Sequence, residues 1–148
     1  MLRYSIVFVA IGLVVWASWS LFRKRTPAEK LAALQKEVAP KGGEIFETEL
    51  QGRHTAFLVM NCEVFLLDIT GKKVKRTKVL KTGFYFGLTV CTGHSIRLEE
   101  GYVQVMLANR AIGAGGGNTS GGYYRSRDGL TWEKETRTGW KPLDEAQP

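Results

Sequence analysis

Residues 44–69 read EIFETELQGRHTAFLVMNCEVFLLDI. Phe46, Thr48 and Leu50 alternate with Glu47 and Glu49, the period of two that marks a strand with one wet face. Ile45 stands on the glutamate face and is the one exception to the pattern. Gly52 ends the strand, and residues 54–60 and 62–69 then form two runs rich in Phe, Val, Leu and Ile. Working outward, Thr70-Gly71-Lys72 reads as a turn and residues 74–80 as a basic strand. Residues 84–91, 95–98 and 102–107 read as further strands, separated at Gly93 and at Glu100-Gly101. Residues 123–125 and 131–136 form a last hairpin across Asp128-Gly129. Short strands at a spacing of roughly 8–12 residues predict an all-β domain: an antiparallel meander, small sandwich or barrel. No helical pattern lies between the strands, which excludes a parallel α/β sheet.

Upstream, the period lengthens. Thr26-Pro27-Ala28-Glu29 fits a capping box with proline at the first helical position. Leu31, Leu34 and Val38 follow at helical spacing, and Pro40 with Gly42-Gly43 stops the helix. A short amphipathic helix is therefore predicted over 27–38. Its stripe is narrow and suits a spacer packed on the domain better than a helix lying on a membrane surface. Residues 5–22, SIVFVAIGLVVWASWSLF, carry no charge. Their 18 residues come close to the length of about 20 that crosses a bilayer as a helix. Trp16, Trp19 and Phe22 gather at the end where rings prefer the headgroups. A cleaved signal peptide would have a shorter apolar region and a small-x-small site, whereas Trp19 and Leu21 are bulky and Arg23-Lys24-Arg25 follows. A retained transmembrane anchor is predicted. The heavier basic flank on its C-terminal side favours a single-pass protein of the cell (inner) membrane with its domain facing the cytoplasm. The chain thus divides into an anchor with basic flank (1–26), a helix and linker (27–43), an antiparallel β domain (44–140) and a polar tail (141–148).

The chain has 148 residues and a net charge of +7, with 44% apolar and 24% charged residues and two cysteines. That length allows one domain of ordinary size. Collagen-like, mucin-like, disordered and disulfide-dense classes are excluded. Residues 1–26 hold four of the 21 basic residues and none of the 14 acidic ones. The high charge is therefore partly a membrane-flank effect and argues little for nucleic acid.

The densest basic run is Lys72, Lys73, Lys75, Arg76, Lys78 and Lys81, with no acid between Ile69 and Cys91. On a strand, Lys73, Lys75, Thr77 and Lys81 share one face. Such lysines either protect a sheet edge or attract anionic lipid or an acidic protein. Residues 113–122, GAGGGNTSGG, lack both the third glycine of a dinucleotide fingerprint and the lysine of a P-loop, and no helix follows them. They read as a flexible surface loop. Cys62, Cys91, His54 and His94 make an incomplete zinc set, because His54 and Cys62 are too loosely spaced for a ligand pair. The cysteines otherwise read as two buried thiols, which a cytoplasmic placement favours, or one disulfide, which a periplasmic placement favours. Cys91 with His94, as nucleophile and base, point to opposite faces of an extended chain unless Gly93 bends it. The sequence implies no metal, no cofactor and no small-molecule ligand.

Residues 126–132, Ser-Arg-Asp-Gly-Leu-Thr-Trp, resemble the Asp-box turn, SxDxGxTW, in a version one residue shorter. The resemblance implies a hairpin turn in which the aspartate accepts backbone hydrogen bonds and the tryptophan packs beneath. Asp-boxes occur in several copies in sialidase-like propellers. One copy in a small chain implies structure, and no glycosidase residues are carried over.

Taken together, the sequence predicts a membrane-anchored, non-catalytic β domain that binds another protein, an acidic one, through the basic strand. A narrower alternative is an immunity protein neutralising a secreted bacterial toxin at the membrane. A different class, an envelope enzyme using Cys91 and His94, stays open. Nucleic acid is disfavoured by the anchor and by the lack of a recognition motif.

Overall fold

The computed structural model describes residues 25–82, 88–112 and 121–145. One helix, α1 (Pro27–Val38), leads through a 3₁₀ turn (Ala39–Lys41) into nine strands among these residues. Four form one antiparallel sheet in chain order: β1 (Glu44–Leu50), β2 (Arg53–Met60), β3 (Glu63–Asp68) and β4 (Lys75–Lys81). Five form a second: β5 (Leu88–Glu99), β6 (Tyr102–Ile112), β7 (Gly122–Ser126), β8 (Glu133–Thr136) and β9 (Gly139–Pro142). Within each sheet every strand pairs with its neighbour in sequence, and the chain changes sheet between β4 and β5, so the antiparallel meander is realised as two stacked sheets.

Local chemistry sets the tight turns. Gln51-Gly52, Asn61-Cys62 and Glu100-Gly101 are two-residue loops with both φ angles positive, between 51° and 77°. That handedness matches the twist of paired strands and favours Asn and Gly at the turn.

Two cores flank the first sheet. Phe57, Val59, Val64 and Leu80 face Ile96, Val103, Val105, Leu107 and Tyr124 of the second sheet. On the other side Leu31, Leu34 and Val38 of α1 cover Ala56, Leu58 and Leu67. The molecule is therefore layered helix, sheet, sheet. This explains the unbroken apolar run of β2, whose residues 56–59 are all buried, since a sheet covered on both faces needs no alternation. Ile45, the exception on the glutamate face, packs into the helix-side core. Burying the three α1 side chains is worth about 1.5–3 kcal/mol each. The expected capping box forms: Glu29 N donates to Thr26 Oγ1 (3.2 Å) and Thr26 N to Glu29 Oε2 (2.7 Å).

Several expectations are corrected. Gly93 does not separate two strands, because β5 runs through it with a bulge between Cys91 and Gly93. The start of the polar tail forms an unforeseen strand, β9, through Pro142, and Leu143 beyond it packs on the central core. Among the described residues no helix is long and apolar enough to cross a membrane. The anchor expected at 5–22 lies outside the described residues, as do residues 84–87 and 113–120.

Candidate functional site

The six-residue basic run does not form one face. Lys72 and Lys73 sit in the turn before β4, not on the strand. Within β4, the edge strand of its sheet, the register shifts between the partners of Val64 and Phe65. Lys78 pairs with Phe65 and Leu80 with Val64, leaving Val79 as the extra residue. One extra residue flips every later side chain. Lys81 therefore shares the helix-side face with Arg76 and Lys78, while Lys75 and Thr77 lie on the other, which corrects the shared face expected for Lys73, Lys75, Thr77 and Lys81. Two of the cations are also engaged: Arg76 NH2 meets Glu37 Oε1 at 2.9 Å and Lys78 Nζ meets Glu63 Oε1 at 2.7 Å.

The cysteines form a disulfide, with Cα atoms 5.5 Å apart, that joins the β2–β3 turn to the β5 bulge. The bulge also overturns the expected opposition of Cys91 and His94. Cys91 lies across from Asn109 and His94 across from Leu107, both on the inward face of β6. His94 Nε2 is 3.7 Å from Glu44 Oε2, and its side chain is only 13% exposed. A sulfur bonded to Cys62 is no nucleophile, so this pair has no thiolate chemistry while the disulfide stands. His54 lies at the opposite end of β2 from Cys62, 3.2 Å from Glu47. The four zinc candidates are thus not brought together. Among the described residues no group of three His, Cys, Asp or Glu side chains is placed to hold a metal.

The β7–β8 turn follows the expected Asp-box pattern. Asp128 Oδ1 accepts from the N–H of Leu130 (2.8 Å) and of Thr131 (2.7 Å), and Oδ2 accepts from Thr131 Oγ1 (3.0 Å). Burial by itself would raise the carboxyl pKa. The backbone donors of Thr131 and Leu130, then the Thr131 and Ser126 hydroxyls, outweigh it and hold the pKa down to about 2. Trp132 is buried and meets Phe57 edge to face at 6.4 Å.

Sequence reasoning missed the outer face of the second sheet. Val103, Val105 and Leu107 of β6 point inward, so Tyr102, Gln104, Met106 and Arg110 point outward. Arg97, Tyr123, Arg125 and Trp140 join them through the strand register. Arg125 lies between two rings, 4.3 Å from the Tyr102 centroid and 4.4 Å from that of Trp140, and its Nε is 2.6 Å from Glu133 Oε2. Arg127 stacks on Tyr102 at 4.5 Å. A shallow concavity of about 290 Å³ opens beside Tyr102, Arg127 and Thr131. Tyr123 is 47% exposed. The alternation along 102–107 could have flagged this face, but only the position of α1 shows which sheet keeps an outer face uncovered by described residues. The chain matches no family model, no curated protein and no solved structure at a significant level.

Proposed function

We propose that this chain is a membrane-tethered, non-catalytic protein-binding module whose β domain sits in an oxidising compartment of the cell envelope and docks an acidic partner on the outer face of the β5–β9 sheet. The observation that carries the reading is the composition of that face. Among the described residues its cations are all arginine (Arg97 and Arg125, paired with Glu99 and Glu133, and Arg110, with Arg127 beside them), and its large side chains are Tyr102, Tyr123, Met106 and Trp140. Arg, Tyr, Trp and Met are the types enriched at protein interfaces, where Lys is depleted. The lysines among the described residues lie elsewhere, on α1 and the 3₁₀ turn after it, around β4 and on the opposite side of the β8–β9 hairpin. Residues 5–22 supply the tether by their length and lack of charge. The disulfide supports an oxidising surrounding, because cytosolic thiols are kept reduced. It outweighs the flanking charge of 23–25, which pulls towards the cytoplasm.

The test compares capture by variants of the tagged, detergent-solubilised full chain. Tyr123→Ala with Arg127→Glu should cut capture of an acidic partner at least about tenfold, the loss of one central contact pair. Lys72→Glu with Lys73→Glu should leave that capture unchanged. Equal capture by the face variant and the wild type would remove this reading.

A further inference from the structure

We propose that the turn carrying Lys72 and Lys73, with Lys75 at its end, seats on the anionic phospholipid headgroups of the membrane from which the chain emerges. The proposal rests on reading residues 5–22 as a membrane span. It assigns part of the basic run to lipid and leaves the β5–β9 face to the protein partner.

Chain length fixes the first step. Arg25 follows Phe22 by three residues, which reach at most about 10 Å when fully extended. The helix begins at once, with Thr26 as its cap and Pro27 as its first residue. No long linker therefore separates the end of the apolar run from the folded domain. The second step is a pin. Lys30, one turn into α1, donates from Nζ to the carbonyls of Ile69 and Gly71, both at 2.7 Å. Helical side chains lean towards the helix N-terminus, so these bonds hold the turn against the first turns of α1. The turn is braced from within as well: Asp68 Oδ1 accepts from Thr70 N at 2.9 Å and from Thr70 Oγ1 at 2.7 Å. A rigid, exposed pair, Lys72 and Lys73, is thereby held at the end of the domain where the chain comes from its apolar run.

Charge then selects the surface. Arg25, Lys72, Lys73 and Lys75 stand at this end, and Arg23-Lys24 precede them in sequence. Arg76 and Lys78 are held in ion pairs with Glu37 and Glu63 and are not needed here. The field of an anionic leaflet reaches about one Debye length, roughly 8 Å at physiological salt, so only cations held this near the chain's exit can feel it. The chemistry that recognises them is a phosphodiester headgroup bearing net negative charge, such as phosphatidylglycerol.

Amine footprinting by mass spectrometry tests this on the full chain reconstituted into vesicles. In phosphatidylcholine containing about 30 mol% phosphatidylglycerol, acetylation of Lys72 and Lys73 should fall about fivefold relative to pure phosphatidylcholine, and high salt should restore it. Lys141, on β9, should react equally in both. Lys72→Glu with Lys73→Glu should abolish the lipid-dependent protection of Lys75 without changing insertion. Equal reactivity of Lys72 and Lys73 in both lipids overturns the proposal. So does protection seen only in native membranes, which marks a protein as the occupant. Extraction of the chain by alkaline carbonate would instead overturn the membrane span itself, and the proposal with it.

Discussion

Asp128 shows how one side chain can hold a turn. Its carboxylate receives two backbone N–H groups and the hydroxyls of Ser126 and Thr131, all within three residues of it in the chain, and the neighbouring Gly129 N–H goes to Ser126 Oγ at 2.8 Å. Replacing Asp128 by Ala leaves those donors unmet and should cost about 2 kcal/mol, read by chemical denaturation. The pH dependence follows from the lowered pKa. A carboxylate held at about 2, against an ordinary 3.8, adds stability that is complete above about pH 5. That stability is lost as the pH falls towards 2. Wild type should thus lose stability between pH 5 and about pH 2 by more than Asp128→Asn does. Gly129 is bound by both conformation and space. Its φ is +77°, and a Cβ there would lie 2.8 Å from Phe57 Cζ. Gly129→Ala should lower the unfolding free energy by about 2 kcal/mol or more, with strain and overlap acting together. The pattern of 126–132 made this turn legible in advance, because its hydrogen bonds are all local.

At the scale of elements, what the sequence hid was register. Alternation in β1 was plain, and Ile45 was visible as its exception, but the reason lay in α1, which covers the glutamate face of that strand near Ile45. The two bulges left no mark that periodicity could read. At Val79 an extra residue moves Lys81 to the other face, and beside Gly93 another turns Cys91 and His94 to the same side. A glycine between apolar runs reads as a break, yet here it sits inside a strand of 12 residues. β9 went unseen because four residues with a proline carry almost no pattern, and Trp140 gains its place from pairing with Glu135 across the hairpin. The helix was legible together with its N-terminal capping box. Its docking can be measured. Leu34, 5% exposed, fills the layer between α1 and the first sheet. Leu34→Ala should cost about 2–4 kcal/mol, whereas Ala33→Ser on the exposed side of the same helix should change stability by less than about 0.5 kcal/mol. Equal effects would mean that α1 does not pack on the sheet in solution.

At the scale of the whole molecule, the disulfide is the feature that reaches furthest. It joins two sheets across a separation of 29 residues, and closing a loop of that size in the unfolded chain is worth about 3–4 kcal/mol. Cys62 is 2% exposed and sits in the hairpin turn with φ 56°, while Cys91 lies on an exposed stretch of β5. An attacking thiol would reach Cys91 first and would have to expel a thiolate into a buried site, which burial disfavours. The bond is therefore a staple and not an exchanging pair. Sequence left its existence open, since spacing alone cannot show that a turn and a bulge meet. On the proposed reading, a lasting staple of this kind goes with an oxidising compartment. Intact cells treated with a membrane-impermeant maleimide should show no labelling of the chain before reduction. After an impermeant reductant and mild denaturation, two labels should appear, one for each cysteine of the sequence. Cys62→Ser should leave Cys91 free, exposed and labelled from outside without any reductant, and should lower stability by about 3 kcal/mol. Thiols that are already free and react only after lysis would place the domain in the cytoplasm. The staple would then be absent in the cell, and the flanking charge of 23–25 would be the better guide to topology.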